Sequence, residues 1–484
     1  MASSPNRPLP DFIIDVVHGD IHLTERECKV VDTASFQRLR HIKQLQMGQV
    51  TYPNATHTRF VHSLGTLRIM QRILDAAKEH GIGIDEEERE NLCLAALLHD
   101  IGHYPYSHLL EGVDNVDLLE ERVKSEADTP KRTLDLGQIP VRYPNHVSVG
   151  ALIVTKQQDM VDAIGGERKA RRVADLFSGQ EIDNKKLSKL VSSSLDLDRL
   201  DYLQRDSHAT GLPYGRIDLN YLLNALRGNS KGEIGVHERA IPAVEHFLLA
   251  RFFMHRTVYC HRTTVAIEEA CRQLLKRLRD NKNYDVPEDG RRIEEIVASN
   301  ELHGFTDSYV DAIVRRAASD PDDVVSSLAL SVHSRNPPKL LKEVCVFREK
   351  QDDSHRGLWF RSRCFSELAG VAQRKGIPLG RFLFCELPLI TLEKSVSRLT
   401  ASEYERASSE EVRQYMRQEN EIVRIFVDGN ENPKSLLEID YSIIKRLEGL
   451  VFRTYRLYFV PSKREAMSPV EDLRALVHDW DKFL

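Results

Sequence analysis

No apolar run in this 484-residue sequence approaches the roughly 20 residues that a bilayer-spanning helix requires, and blocks such as Leu92 to Leu98 stop far short of it. A membrane-spanning chain is therefore not expected. Met1 to Asp11 holds one Arg and three Pro but no apolar stretch of signal-peptide length, so a secretory address is not expected either. The seven cysteines, Cys28, Cys93, Cys260, Cys271, Cys345, Cys364 and Cys385, include no CxxC pair. That argues against a zinc ribbon or a disulfide framework and points to a reducing cytoplasm. A dominant charge is missing too: 68 Lys and Arg face 73 Asp and Glu, a formal −5. Nothing global attracts nucleic acid or an anionic membrane, so an anionic ligand must be drawn in locally. Repeats and low-complexity tracts are absent, and Pro (19) and Gly (25) are sparse. With 41% hydrophobic and 29% charged residues, the composition is that of a folded chain long enough for about two to four domains.

What is there is mostly helical periodicity. Val30, Val31, Phe36, Leu39, Ile42 and Leu45, then Leu64, Leu67, Ile69, Ile73 and Leu74, recur at three- and four-residue steps, and the pattern runs from Leu23 to about Leu278. Leu92 to His99 is apolar on nearly every face, the mark of a helix inside a bundle. Asp114 to Asn145 is charged and broken by Pro130, Pro140 and Pro144, which predicts a surface insertion able to act as a lid. From Asp280 to about Lys375 the pattern stays helical but more polar, with breaks near Pro287 and at Pro337-Pro338. After Gly376 the texture changes, and Arg381 to Ile390, Glu421 to Val427 and Val451 to Val460 read as strands, with a turn at Asp428-Gly429. The predicted fold is mainly α: a helical core over 1–280 with the insertion at 114–145, a helical extension over 281–375, and a smaller α+β module over 376–484.

Chemistry concentrates at His99-Asp100, where the apolar helix meets Gly102. An imidazole beside a carboxylate at the edge of a core offers two metal ligands in one place. On a continuing helix His103 would join them on one side. Alone, such a pair is more often a capped helix end or a satisfied hydrogen bond. Upstream, however, Arg59 and His62 sit three apart at the start of a helix, and downstream Asp198-Arg199-Leu200-Asp201-Tyr202-Leu203-Gln204-Arg205-Asp206 places Asp198, Asp201 and Tyr202 on one helical face. That run by itself reads equally as a solvated, salt-bridged surface.

Together these motifs resemble the HD-domain phosphohydrolases, and within them the branch that contains the SAM-and-HD-domain dNTP triphosphohydrolase and its bacterial relatives. The likeness covers Asp15 to about Thr264 in fragments: Val17 to Ile21, Phe36 to Leu45, His57 to Gly65, His99 to His108, the Asp198 run, and Arg251 to His261. No SAM domain is expected ahead of the HD region. The resemblance implies that His62, His99, Asp100 and Asp198 hold a divalent metal, which such a nitrogen and oxygen set accepts as Fe, Mn, Mg, Zn, Ni or Co. It implies that His103, His108 and His146 are active-site histidines, with His108 as the acid that protonates the leaving oxygen and Glu111 as its carboxylate partner. Gln44, Arg59, Arg199, Tyr202, Asp206, Arg251 and Tyr259 fall where the family contacts triphosphate, sugar or base, with Arg199 in place of a lysine. The implied reaction is attack of water, activated at the metal, on the α-phosphorus of a (deoxy)nucleoside triphosphate, releasing nucleoside and triphosphate.

The resemblance weakens at one place. Asp32, Gln37 and Arg40 match part of a pocket that takes a nucleotide activator and drives assembly to a homotetramer, but Asp11 and Ile14 stand where that pocket has a lysine and an asparagine. Gln37 and Arg40 equally suit hydrogen bonds across a helix interface. A homodimer or homotetramer is expected by the same analogy. Cys260, between Tyr259 and His261, reads as a packing residue rather than a nucleophile. Two other functions remain open: hydrolysis of a different nucleotide or phosphoester at the same metal, and a nucleotide sensor without catalysis.

Overall fold

The computed structural model describes residues 12–79, 83–116, 118–120, 143–179, 197–229, 233–349, 354–388, 390–391, 423–448, 450–462 and 469–483. Most of the anticipated insertion, residues 121–142, lies outside them, as do Asp11 and residues 421–422.

Helices dominate, as the periodicity predicts. The chain opens with a hairpin of β1 (Phe12–Asp15) and β2 (Gly19–His22), which the helical pattern does not announce. Next comes α1 (Glu25–Val31), started by a reciprocal capping box in which Thr24 and Glu27 satisfy each other's backbone N–H groups. Then α2 (Arg59–Glu79) packs against α3 (Glu86–Leu98). Asp85 caps α3 by accepting from the Glu88 N–H at 2.8 Å, and Glu86, Glu87 and Glu88 place negative charge at its positive end. From Asn91 to Leu98 every residue of α3 is buried, so this helix is central to the bundle, as its all-round apolar character requires.

Around it lie the short α4 (His108–Glu111), α5 (His146–Lys156), α6 (Glu167–Ser178) and α7 (Leu197–Thr210). Then follow α8 (Ile241–Met254) and α9 (Arg262–Arg279), joined by a five-residue π turn over His255–Tyr259. Such turns widen a helix locally and re-aim its side chains. The polar helical stretch continues with α10 (Gly290–Ala298), α11 (Asp307–Ala317) and α12 (Asp323–His333).

The stretch read as helical up to Lys375 also contains a strand, β5 (Lys339–Glu349), ahead of α13 (Ser354–Lys375). All three anticipated strand runs are present, as β6 (Phe382–Glu386) with β7 (Ile390–Thr391), β8 (Arg424–Phe426) and β10 (Leu450–Phe459). The long β10 is central, with β5 antiparallel on one side and β6 and β7 on the other. Phe360, Cys364, Phe365 and Leu368 of α13 cover one face of this sheet together with Leu473 and Val477 of α14 (Val470–Val477). A second small sheet joins distant parts of the chain: β3 (Leu226–Gly228) and β4 (Ile234–His237) extend through β8 to β9 (Lys434–Ser435), with β4 and β8 parallel. A single buried cluster runs from Ile21 through the bundle to Val460.

Among the described residues, no helix is long and apolar enough to cross a membrane. The seven cysteines are unpaired, and burial pushes the Cys260 thiol up to about 11, consistent with a packing residue.

Candidate metal centre

The centre is built where four segments meet. Phe36 to Leu45 runs back beside the head of α2, with the Arg59 N–H on the Ile42 carbonyl at 2.9 Å and the Gln44 N–H on the His57 carbonyl at 3.0 Å. This fixes the first turn of α2 and with it Arg59 and His62, both buried. The second segment is the end of α3. The helix does not continue through His103: it stops at Leu98, and the chain turns, with the Ile101 N–H on the Leu98 carbonyl and the His103 N–H on the Asp100 carbonyl. Gly102 makes the turn fit, because a Cβ there would overlap the His146 carbonyl and the Gly150 backbone of α5. Arg38 secures the same turn from behind, its buried guanidinium donating to the carbonyls of Ile101 and His103, both at 2.9 Å. Burial pulls this guanidinium down to about 10.

Beyond the turn, Tyr106 and Ser107 adopt φ of 52° and 57°, a strained region for residues with side chains. Their neighbours hold them there. Asp307 accepts from the Tyr106 N–H at 2.6 Å, and Ser107 Oγ accepts from Arg59 Nε at 2.8 Å while donating to the Lys43 carbonyl at 2.9 Å.

His62, His99, Asp100 and Asp198 converge. His62 Nε2 lies 3.0 Å from Asp198 Oδ1 and 3.4 Å from Asp100 Oδ2, and His99 Nε2 lies 3.3 Å from Asp100 Oδ1 and 4.0 Å from Asp198 Oδ1. Asp198 is brought in by the first turn of α7. Each imidazole is held through its other nitrogen, His62 Nδ1 by Asp201 Oδ2 at 2.7 Å and His99 Nδ1 by the Ala96 carbonyl at 2.8 Å. That leaves both Nε2 atoms facing the carboxylates, and neither atom makes a hydrogen bond among the described residues. Two orphaned imidazole nitrogens facing two carboxylates suit a divalent cation.

Electrostatics point the same way. Burial opposes charge on His62, but the carboxylates of Asp198, Asp201 and Asp100 overcome it and raise the imidazole to about 10. Burial would likewise raise Asp198, yet His62 brings it down to about 2. Asp100 is held well below the usual carboxylate range against its burial, by Arg59 and by His99 and His103. The centre is a buried anionic hole that asks for positive charge.

A second group adjoins it. His103 Nε2 is 3.1 Å from Asp100 Oδ1, and its ring stacks on His146 at 4.1 Å. Burial, then Arg59 and His146, hold His103 well below its usual basicity, so it is neutral. Glu111 accepts from His108 Nδ1 at 2.9 Å and meets His146 Nδ1 at 3.3 Å. These two histidines keep Glu111 far below the usual carboxylate range in spite of its burial.

The face of α7 that carries Asp198 also carries Tyr202 and Asp206 at four-residue steps. Asp206 bonds the Tyr259 hydroxyl at 2.8 Å and His57 Nε2 at 2.7 Å, and the Tyr202 and Tyr259 rings form a T-shaped pair with centroids 5.8 Å apart. The His255 ring meets Tyr259 at 4.7 Å, and burial and the charges of Arg251 and Arg199 hold it well below its usual basicity; Arg251 is itself buried. Gln44 is buried beside His57. Arg59 faces inward and pairs with Asp100. Gln37, on the outside of the bundle, donates to the Val31 carbonyl at 2.7 Å; Arg40 donates to Gln37 at 2.7 Å and lies 3.6 Å over the Phe60 ring. Asp32 caps α1 nearby.

Residues that sequence reasoning left without a role complete the centre. Asp201 is fully buried and links His62 to His18, whose Nε2 it meets at 2.6 Å, while Arg205 binds both Asp201 and Asp15. Gly65 of α2 gives this network room, since a Cβ there would overlap Asp201.

The HD domain family matches residues 59–206, and the HD associated region matches residues 217–319. This chain is a member of the HD-domain phosphohydrolase superfamily. The HD protein is 34% identical over 265 residues to the uncharacterized protein YwfO of Bacillus subtilis, covering 54% of each chain. It is 28% identical over 267 residues to the deoxynucleoside triphosphate triphosphohydrolase SAMHD1 of Gallus gallus, covering 52% of this chain and 43% of that one. It spans a little over half the length of the first of these relatives. Its fold is similar to that of a phosphohydrolase of Bacteroides thetaiotaomicron, with a TM-score of 0.66, 23% identity, and coverage of 92% of this chain and 99% of that one.

Proposed function

We propose that the HD protein is a metal-dependent (deoxy)nucleoside triphosphate triphosphohydrolase, acting as a homodimer or homotetramer and releasing nucleoside and inorganic triphosphate. The observation that carries the proposal is the convergence of His62 on α2, His99 and Asp100 in the turn after α3, and Asp198 on α7 beside the His108–Glu111 pair. The likeness to SAMHD1 supports the substrate class.

A divalent cation held by those four ligands would supply Lewis acidity, lowering the pKa of water and screening phosphate charge. The protein's own residues do the rest. Glu111, kept anionic by its histidines, gives His108 the carboxylate partner that a proton donor to a departing alkoxide needs. His103 stays neutral and ties Asp100 in place. Arg199 and Arg251 bring fixed positive charge for a polyphosphate. Tyr202, Tyr259 and Asp206 offer aromatic faces and a carboxylate for sugar and base.

The test is a panel of dNTPs, NTPs and monophosphates with Mn or Mg and product identification. Triphosphate release that disappears in Asp198→Ala is the expected outcome. Release of single orthophosphate would move the reaction to another phosphoester, and nucleotide binding without products would make the protein a sensor.

A further inference from the structure

Asp307 lies in the HD associated region, yet its carboxylate is turned toward the loop that follows His99 and Asp100. It is the first residue of α11 and is buried. One oxygen accepts from the Tyr106 N–H at 2.6 Å, and the other accepts from the Lys43 N–H at 3.0 Å and from Lys43 Nζ at 3.4 Å. A single side chain thus joins two backbone segments. The Lys43 side is also pinned without it, because the flanking Ile42 carbonyl receives the Arg59 N–H and the flanking Gln44 N–H reaches the His57 carbonyl. Asp307 therefore holds the turn against a fixed reference.

What it holds is strained. Positive φ at two successive residues with side chains, Tyr106 and Ser107, persists only where the surroundings enforce it. The enforcement comes from α11 at both ends of Tyr106: Asp307 takes its N–H, and Asp311, one turn further on, takes its hydroxyl at 2.8 Å. Just ahead of α11, the Phe305 carbonyl accepts from Arg38 Nη1 at 2.9 Å, while Nη2 of the same guanidinium grips the carbonyls of Ile101 and His103. His108 comes directly after Ser107 and opens α4, so the dihedral angles fixed at Tyr106 and Ser107 decide where His108 and Glu111 stand.

We propose that Asp307 is a positioning residue, which sets His108 against Arg59 and the proposed metal ligands by holding the Tyr106-Ser107 turn. It touches no reacting atom. Such a tether acts on rate, because a displacement of about 1 Å at the reacting groups can cost 10²-fold. The residues proposed for sugar and base lie elsewhere, on α7 and the π turn, so substrate affinity should not follow. The effect on rate rests on the proton-donor role given to His108 above; the placement of His108 does not.

Asp307→Ala removes both acceptor oxygens from the full-length chain. On the nucleotide that wild type hydrolyses fastest, kcat should fall roughly 10–100-fold while KM and the Mn²⁺ retained in dialysis stay as in wild type. Asp307→Asn keeps one acceptor, so it should lose less in kcat, again at constant KM; it stands in if the first variant does not fold. In chain carrying ¹³C-labelled histidine, the His108 ring resonance, assigned by its loss in His108→Gln, should move in both Asp307 variants. An unchanged kcat overturns the effect on rate, and an unmoved resonance overturns the placement. A KM that rises as kcat falls, or metal lost along with the rate, also overturns the proposal, since either marks a general structural defect. If wild type turns over no nucleotide, hydrolysis is the reading that fails, and the resonance alone then decides whether Asp307 places His108.

Discussion

Asp201 reaches the candidate cation only through His62. Its carboxylate fixes the ring so that Nε2 faces the ligands, and it is itself fixed by His18 and Arg205. Losing such an outer carboxylate typically costs 10–100-fold in metal affinity. Asp201→Asn is therefore expected to weaken metal binding by about that factor, measured by dialysis, with the circular dichroism spectrum unchanged; unaltered affinity would remove the positioning role. The four proposed ligands could be named from the sequence because the motifs that carry them resemble those of the HD family; adjacency alone marked out only His99 and Asp100. His18 could not be paired with Asp201, because 183 residues separate them and no local spacing links an imidazole in a hairpin turn to a carboxylate on α7.

At the scale of elements, the turn after α3 is set by backbone proximity. Gly102 lies so close to α5 that a methyl group has nowhere to go. Gly102→Ala should cost roughly 1–3 kcal/mol and lower the melting temperature, because either α5 or the His99-Asp100 turn must shift; an unchanged melt would show that the contact yields freely. The bundle was legible because apolar residues at three- and four-residue steps describe a helix buried on one face. β5 was not. Its sequence, Lys339–Glu349, intersperses charge with Leu, Val and Phe, and among the described residues it is an edge strand pairing only with β10. Half-solvated edges tolerate Lys and Glu, and that erases the apolar run by which a central strand such as β10 is recognised. The N-terminal hairpin was missed for a related reason, its strands being four residues each.

For the molecule as a whole, one buried acid on α9 couples stability to pH. Burial raises Glu268 to about 7, against an ordinary 4.5, with Arg272 and the Met47 N–H only partly offsetting it. The folded chain keeps this proton between those values while the unfolded chain gives it up. Stability from this group is therefore complete below pH 4.5 and declines as pH rises toward 7, by roughly 3 kcal/mol in total. Glu268→Gln, neutral throughout, should flatten the fall in melting temperature over that window; identical wild-type and variant profiles would refute the assignment. Helix α7 has a consequence at this scale as well. One of its faces bears Asp198, Tyr202 and Asp206, and the other grips the β1–β2 hairpin through Asp201 and Arg205. The strands that precede α1 thus serve as a latch on the ion's surroundings: prising them loose would take Asp15 from Arg205 and His18 from Asp201, and the disturbance would arrive at His62 one bond later.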